Sequence, residues 1–176
     1  PGALNVASTE VQRSEPGYYR PEPADIDLRS DPVLPPRPSV RRALGPPDQA
    51  AVVAAARMAP IMEETSRITL ASVALLDRNG VVVRGLGRGG SWGDLPEVRT
   101  ALSGASATVL RRNDAYLPRY QMEWLSRASG LRIHHARPVV VNGRVEGVVL
   151  ASRSPRALFK GIYQDRGKIL FGVIAV

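Results

Sequence analysis

The chain reads as an α+β domain: a central antiparallel sheet of about five strands, with a long N-terminal helix on one face and a C-terminal helix after the last strand. Three observations predict it. The stretch Arg132 to Arg153, RIHHARPVVVNGRVEGVVLASR, sets Val139, Val140 and Val141 before Asn142-Gly143, and Val145, Val148, Val149 and Leu150 after it. Asn-Gly between β-branched runs is a strong hairpin signal, because both central residues of the favoured turn take positive φ. The same device recurs where Asp77-Arg78-Asn79-Gly80 separates TLASVALL (Thr69 to Leu76) from Val81 to Arg84. Upstream, Ala50 to Arg67 is alanine-rich and carries apolar residues at helical spacing.

Composition bounds the rest. The 176 residues suit one domain of ordinary size, and 44% hydrophobic content supports a real core. With no Cys, disulfides and thiolate chemistry are excluded. The net charge is +8, from 24 Lys+Arg against 16 Asp+Glu. Only Lys160 and Lys168 are lysines, so the charge is nearly all arginine. Together with the many Ala, Gly and Pro, that bias looks like GC-rich coding and argues less for nucleic acid than clustered Lys does. A basic surface still favours anionic partners: lipid headgroups, carboxylates, phosphates or nucleic acid. No stretch has the make-up of a signal peptide, and no apolar run reaches the ~20 residues of a membrane span.

In order, residues 1–45 form a proline-rich, extended or partly disordered segment: Pro16, Pro21, Pro23, Pro32, Pro35, Pro36 and Pro38 break helices and remove ladder donors. Its acidic residues Glu15, Glu22, Asp25, Asp27 and Asp31 are positioned to lie against an arginine-rich body, or to stand in a solvated linker. Residues 46–167 form the folded domain. Pro46-Pro47-Asp48 opens the long helix, with Val52, Val53, Ala56, Met58, Ile61 and Met62 as its expected buried stripe and Pro60 as an expected kink. After the first hairpin come a glycine-rich loop, GLGRGGSWG (Gly85 to Gly93), a helix over Asp94 to Leu102, and a strand over Ala107 to Arg111. Asn113 to Ser129 is an aromatic insert containing Tyr116, Tyr120 and Trp124. After the long hairpin, Ser154-Pro155 starts a helix to about Arg166. After Lys168, residues 169–176 are apolar on all sides; a last core strand is one reading, but 168–176 is expected to be the start of a membrane-spanning helix cut short.

Three blocks in this order carry a family resemblance. They are Leu75 to Val82 (LLDRNGVV), Leu95 to Gly104 (LPEVRTALSG) and Ala136 to Val149 (ARPVVVNGRVEGVV). They resemble the patterns D-x-x-G-x-V, P-x-V-x-x-A-L-x-G and A-x-P-V…G-x-x-x-G-V of extracytoplasmic single Cache (PAS-like, or PDC) sensor domains of bacterial sensor histidine kinases and chemoreceptors. The match runs from about Ile68 to Phe171. The interrupting prolines of the N-terminal segment depart from the single long helix with which such domains usually begin. The resemblance implies a periplasmic input domain of an inner-membrane receptor in a two-component system. Such a domain works as a homodimer, detects a small molecule, pH or a periplasmic protein, and passes the signal through its C-terminal helix.

A pocket in this fold class lies on the sheet face opposite the long helix, under the Gly85–Gly93 loop and the Asn113–Gly130 insert. The ligand-binding residues expected there are Trp92, Arg112, Tyr116, His135 and Arg137, drawn from a wider set with Arg111, Tyr120 and His134. Arg137 suits bidentate capture of a carboxylate, Tyr116 a hydrogen bond and Trp92 a wall, so a small anionic ligand is expected. His135 adds titration near neutrality. Strand alternation puts His135 and Arg137 on one face and His134 on the other, so the His pair cannot chelate one ion. Plainer roles stand beside these: Arg137 paired with an acidic residue, and Trp92 and Trp124 in the core.

No cofactor or metal site is expected. The glycine loop lacks a G-K-[ST] ending and follows a hairpin, so it is a weak phosphate cradle. Ser91 and Ser154 lack a G-x-S-x-G setting, and no catalytic constellation is seen, which points away from an enzyme. Two alternatives stay open: a cytoplasmic PAS- or GAF-like interaction module, and a basic nucleic-acid binder. Against the latter, the arginines are scattered and no RNP-like aromatic strand occurs, so nucleic acid is not an expected partner.

Overall fold

In the computed structural model, residues 26–27, 30–114, 117 and 130–154 are described. The elements are β1 (Val33–Leu34), β2 (Arg41–Arg42), α1 (Gln49–Thr69), β3 (Ser72–Asp77), β4 (Val82–Arg84), β5 (Gly90–Ser91), α2 (Pro96–Leu102), β6 (Ala107–Arg112), β7 (Leu131–Val141) and β8 (Arg144–Arg153). Five strands form an antiparallel sheet in the order β6-β7-β8-β3-β4, and β1 adds to the β6 edge in parallel, giving a mixed sheet of six. The fold is therefore α+β, but the sheet is not purely antiparallel. The extra strand comes from the proline-rich segment. Its parallel pairing is short, so a run flanked by Pro32 and Pro35 can supply it.

The β7–β8 hairpin is the one the sequence predicts. Asn142 and Gly143 take φ of 50° and 75°, as the tight turn demands. The β3–β4 turn is built differently. Gly80 has φ 75°, but Asn79 does not have positive φ. Instead the buried Asp77 carboxylate accepts N–H bonds from Asn79 and Val81, both at Oδ1 (2.8 and 2.9 Å). Its Oδ2 accepts the Asp48 N–H (2.9 Å), tying the turn to the start of α1. Gly80 lies so close to the Gly93 backbone that a side chain at Gly80 would collide with it.

Helix α1 begins at Asp48, whose Oδ1 accepts from Ala50 N, and it runs through Pro60 to Thr69, with Leu70 in the left-handed region. Its buried stripe is narrower than expected. Ala55 and Met62 are buried, with Ala51 and Val52 beside them, whereas Val53, Ile61 and Ile68 are 44%, 64% and 68% exposed. The sheet face offered to α1 is small: Val73 and Leu75 of β3, Val83 of β4 and Val149 of β8. The opposite face carries the larger core. There Ala74, Leu76, Val82, Ala136, Val148 and Leu150 pack against Trp92, Leu95, Val98 and Ala101. Period-two alternation assigns each residue to its side.

The chain between β1 and β2 lies over this second face as a strap. Val40 occupies space that a side chain at Gly87 or Gly90 would fill, and β2 pairs with β5. The glycine-rich loop is thus a seat for the strap. Arg41 pairs with Asp94 at 2.6 Å. The helix expected over Arg156 to Arg166, the stretch 168–176, most of the aromatic insert and the acidic residues Glu15, Glu22 and Asp25 lie outside the described residues. Among the described residues no helix is long and apolar enough to cross a membrane.

Candidate functional site

At the β6–β7 end of the second face, five charged or titratable side chains meet. In the β6–β7 register Arg111 stands opposite Arg132 and Val109 opposite His134, so Arg111, Arg132 and His134 share this face. Directly opposed like charges are unfavourable in a sheet. Glu97 answers part of that. It lies one helical turn before Ala101, and α2 turns Glu97, Val98 and Ala101 inward together. Glu97 Oε1 accepts from Arg111 Nε (2.9 Å) and Oε2 from Arg111 Nη2 (2.8 Å), a bidentate pair with side chains 0% and 4% exposed. Arg111 Nη1 donates to the strap carbonyl of Pro35 (3.1 Å). Arg37, also on the strap, stacks 4.0 Å above the Trp92 ring centre, and Trp92 Nε1 donates to Pro38 O (3.2 Å).

A cavity of about 170 Å³ opens here, lined by Pro36, Arg37, Arg112, Asn113, Asp114, Arg132 and His134. Its walls carry three arginines against one carboxylate. Two of its lining residues hold buried nitrogens with no hydrogen-bond partner: Arg132 Nε and His134 Nδ1. His134 is 1% exposed, and its Nδ1 stands 3.8 Å from Glu97 Oε1, too far to bond. Burial, and then the Arg37, Arg111 and Arg132 guanidiniums, lower its pKa to about 3, so the ring is neutral at pH 7. Burial, then Arg132, also draws Arg37 down, with Glu97 opposing. The site is a desolvated cluster of cations with one internal counter-charge and unused donors. Such an arrangement can accept an anion.

The four described residues of the expected pocket do not converge. Trp92 belongs to the core of the second face, under Arg37. Arg112 is exposed at the cavity rim. His135 and Arg137 point to the α1 side, because Arg137 pairs with Val149. The face opposite the long helix is therefore closed to them. His135 Nδ1 shares a hydrogen bond with Thr108 Oγ1 (2.8 Å), and Arg137 is exposed. Tyr116 lies outside the described residues. Sequence reasoning missed Glu97, Arg37 and Arg132. The signal for Glu97 was its i,i+4 spacing to Ala101, while Arg37 sits between prolines in a run that shows no periodicity.

A larger groove of about 600 Å³ lies between α1 and the β7–β8 hairpin. Its lining is mainly apolar, with Ala, Val, Leu and Met side chains, and Asp48, Arg144 and Glu146 also stand on its walls. Among the described residues, no group of three or more His, Asp or Glu is placed to hold a metal ion. No protein-family profile matches the chain, and no curated protein matches it.

Proposed function

We propose that the chain is an extracytoplasmic input domain of a bacterial membrane receptor, a Cache-like sensor of the sensor histidine kinase type. On this reading it works as a periplasmic homodimer, binds a small anion between strap and sheet, and signals through the chain beyond β8. The observation that carries it is the position of the cationic cavity. His134 pairs in register with Ser152, and Ile133 with Arg153, the last residue of β8. The cavity wall is thus one strand away from the point where the chain leaves the sheet. Occupancy that shifts β7 acts directly on that exit. The three blocks that carry the resemblance also support it, falling on the β3–β4 turn, on α2 and on the β7–β8 hairpin.

Several arginines are engaged by carboxylates: Arg41 with Asp94, Arg67 with Glu64, Arg78 with Asp48, Arg84 with Glu63 and Arg111 with Glu97. Only the last of these pairs is buried, but each intramolecular pairing competes with phosphate contacts, which counts against a nucleic-acid surface. The test is a chimera in which this chain replaces the input domain of a receptor kinase with a measurable phosphorylation output. Small anions are expected to change the output, and Arg132→Met to abolish the response. An output that no soluble small molecule moves, and that Arg132→Met leaves unaltered, refutes the reading.

A further inference from the structure

We propose that the cavity is an oxyanion site completed by the N-terminal strap, so that ligand binding and strap docking are thermodynamically linked. The inference rests on the sensor reading for its biological use, though not for its chemistry. The ligand class follows from size and charge. About 170 Å³ compares with the ~150 Å³ of a cavity that holds benzene, so about six non-hydrogen atoms fit. Arg37, Arg112 and Arg132 outnumber Asp114 on the walls, and Glu97 is already bound by Arg111. A carboxylate or phosphate headgroup supplies the missing negative charge and acceptors for the unpartnered Arg132 Nε and His134 Nδ1. A neutral imidazole donates from Nδ1 in one tautomer, so His134 requires no proton uptake to serve.

The link to the strap is built into the lining. Pro36 and Arg37 belong to the strap, and Arg132 and His134 to the sheet. An anion held between them bonds one to the other. Pro35 and Pro38, flanking that stretch, are already held through their carbonyls by Arg111 and Trp92. By linkage, an anion that prefers the docked strap must tighten it.

The experiment uses the whole 176-residue chain at pH 7 and constant ionic strength. Acetate, pyruvate and lactate form one arm and inorganic phosphate and sulfate the other; melting temperature and amide exchange of residues 33–42 are measured. A saturable rise of roughly 5 °C or more at about a hundred times Kd is expected in one arm, and the arm identifies the headgroup. Exchange in the strap is expected to slow in step. Arg132→Met is expected to melt no lower than the parent without ligand, since it removes an unpartnered buried donor, and to lose the ligand response. Arg37→Gln is expected to weaken binding at least tenfold, and Arg67→Gln, on α1 and outside both the cavity and the strap, to leave it unchanged. Equal small shifts for all anions, kept in Arg132→Met, mean that the cavity holds only water and overturn the proposal. Binding without slower strap exchange overturns the linkage. Anion binding with no response in the chimera removes the sensor reading and leaves the site standing. A chimera response to another molecule, kept in Arg132→Met, removes the site alone.

Discussion

Replacing Glu97 by Gln tests whether the buried ion pair organises the second face. Two charge-assisted hydrogen bonds link Glu97 to Arg111, both nearly free of solvent. Gln retains one acceptor, so one bond survives, weaker because only its guanidinium donor is still charged. The other is lost, and Arg111 becomes an uncompensated buried cation in the cluster that also holds Arg37 and Arg132. Breaking a buried pair from one side costs about 3–5 kcal/mol. Against a typical total of 5–15 kcal/mol, that is a large share, and at 2–4 °C per kcal/mol it lowers the melting temperature by roughly 10 °C. Urea unfolding of Glu97→Gln, Arg111→Met and the double variant closes the cycle. The double variant removes both charges and is expected to lose less than the two single losses added, by about 2 kcal/mol or more. A loss below about 1 kcal/mol for Glu97→Gln, with additive behaviour in the double variant, would falsify the view that Glu97 neutralises this face.

Three further outcomes follow from other parts of the molecule. His134 has a pKa of about 3 in the fold against 6.5 ordinarily. Between those values the unfolded chain takes up a proton that the native protein refuses. Stability therefore falls on acidification below about pH 6.5, by up to about 1.4 kcal/mol per pH unit, and His134→Gln is expected to flatten that slope in urea titrations from pH 7.5 to 4.5. Gly143→Ala meets open space but must keep φ at 75°, so a loss of about 1–2 kcal/mol from backbone strain alone is expected, whereas Gly147→Ala drives its new carbon into the Leu76 carbonyl oxygen and is expected to cost more than that. A Gly143→Ala loss equal to that of Gly147→Ala contradicts this. Trp92→Phe removes the bond to Pro38 O and weakens the Arg37 stack; about 1–3 kcal/mol and faster exchange in residues 33–42 are expected, and unchanged exchange there counts against the strap's anchoring.

The long hairpin was legible because Asn142-Gly143 supplies the turn and β-branched runs flank it; alternation does not extend to the turn, where Val139, Val140 and Val141 are all exposed and the register shifts between Val139 and Val140. Helix α1 was legible in its start, where Asp48 caps, and less so in its face. Alanine contributes little to a periodic signal, so the sequence alone does not tell that Ala51 and Ala55 face inward while Ile61 faces out. The β3–β4 turn shows how a tertiary bond overrides a local rule: the Asp77 carboxylate holds the turn, and Asn79 need not adopt positive φ. The site was least visible. Its parts come from the strap, α2, β6 and β7, brought together by pairings such as Val33 with Leu110 that leave no local pattern. Alternation did separate His134 from His135 correctly, but it could not say which side the long helix takes.

The strap also bears on how the chain acquires its structure. Val33 and Leu34 are made early, yet their partners Leu110 and Arg111 come more than seventy residues later. The pairing closes a long loop, and such contacts form late and slowly. Until then the edge of β6 that β1 pairs with lacks that partner, and Trp92 lacks the cover of Arg37 and the bond to Pro38 O. An open strand edge beside an apolar patch is a template for pairing between chains. A chain begun at Pro46 would keep the other five strands of that sheet but lack β1, and stronger self-association in concentrated solution, read by light scattering, is the expected consequence.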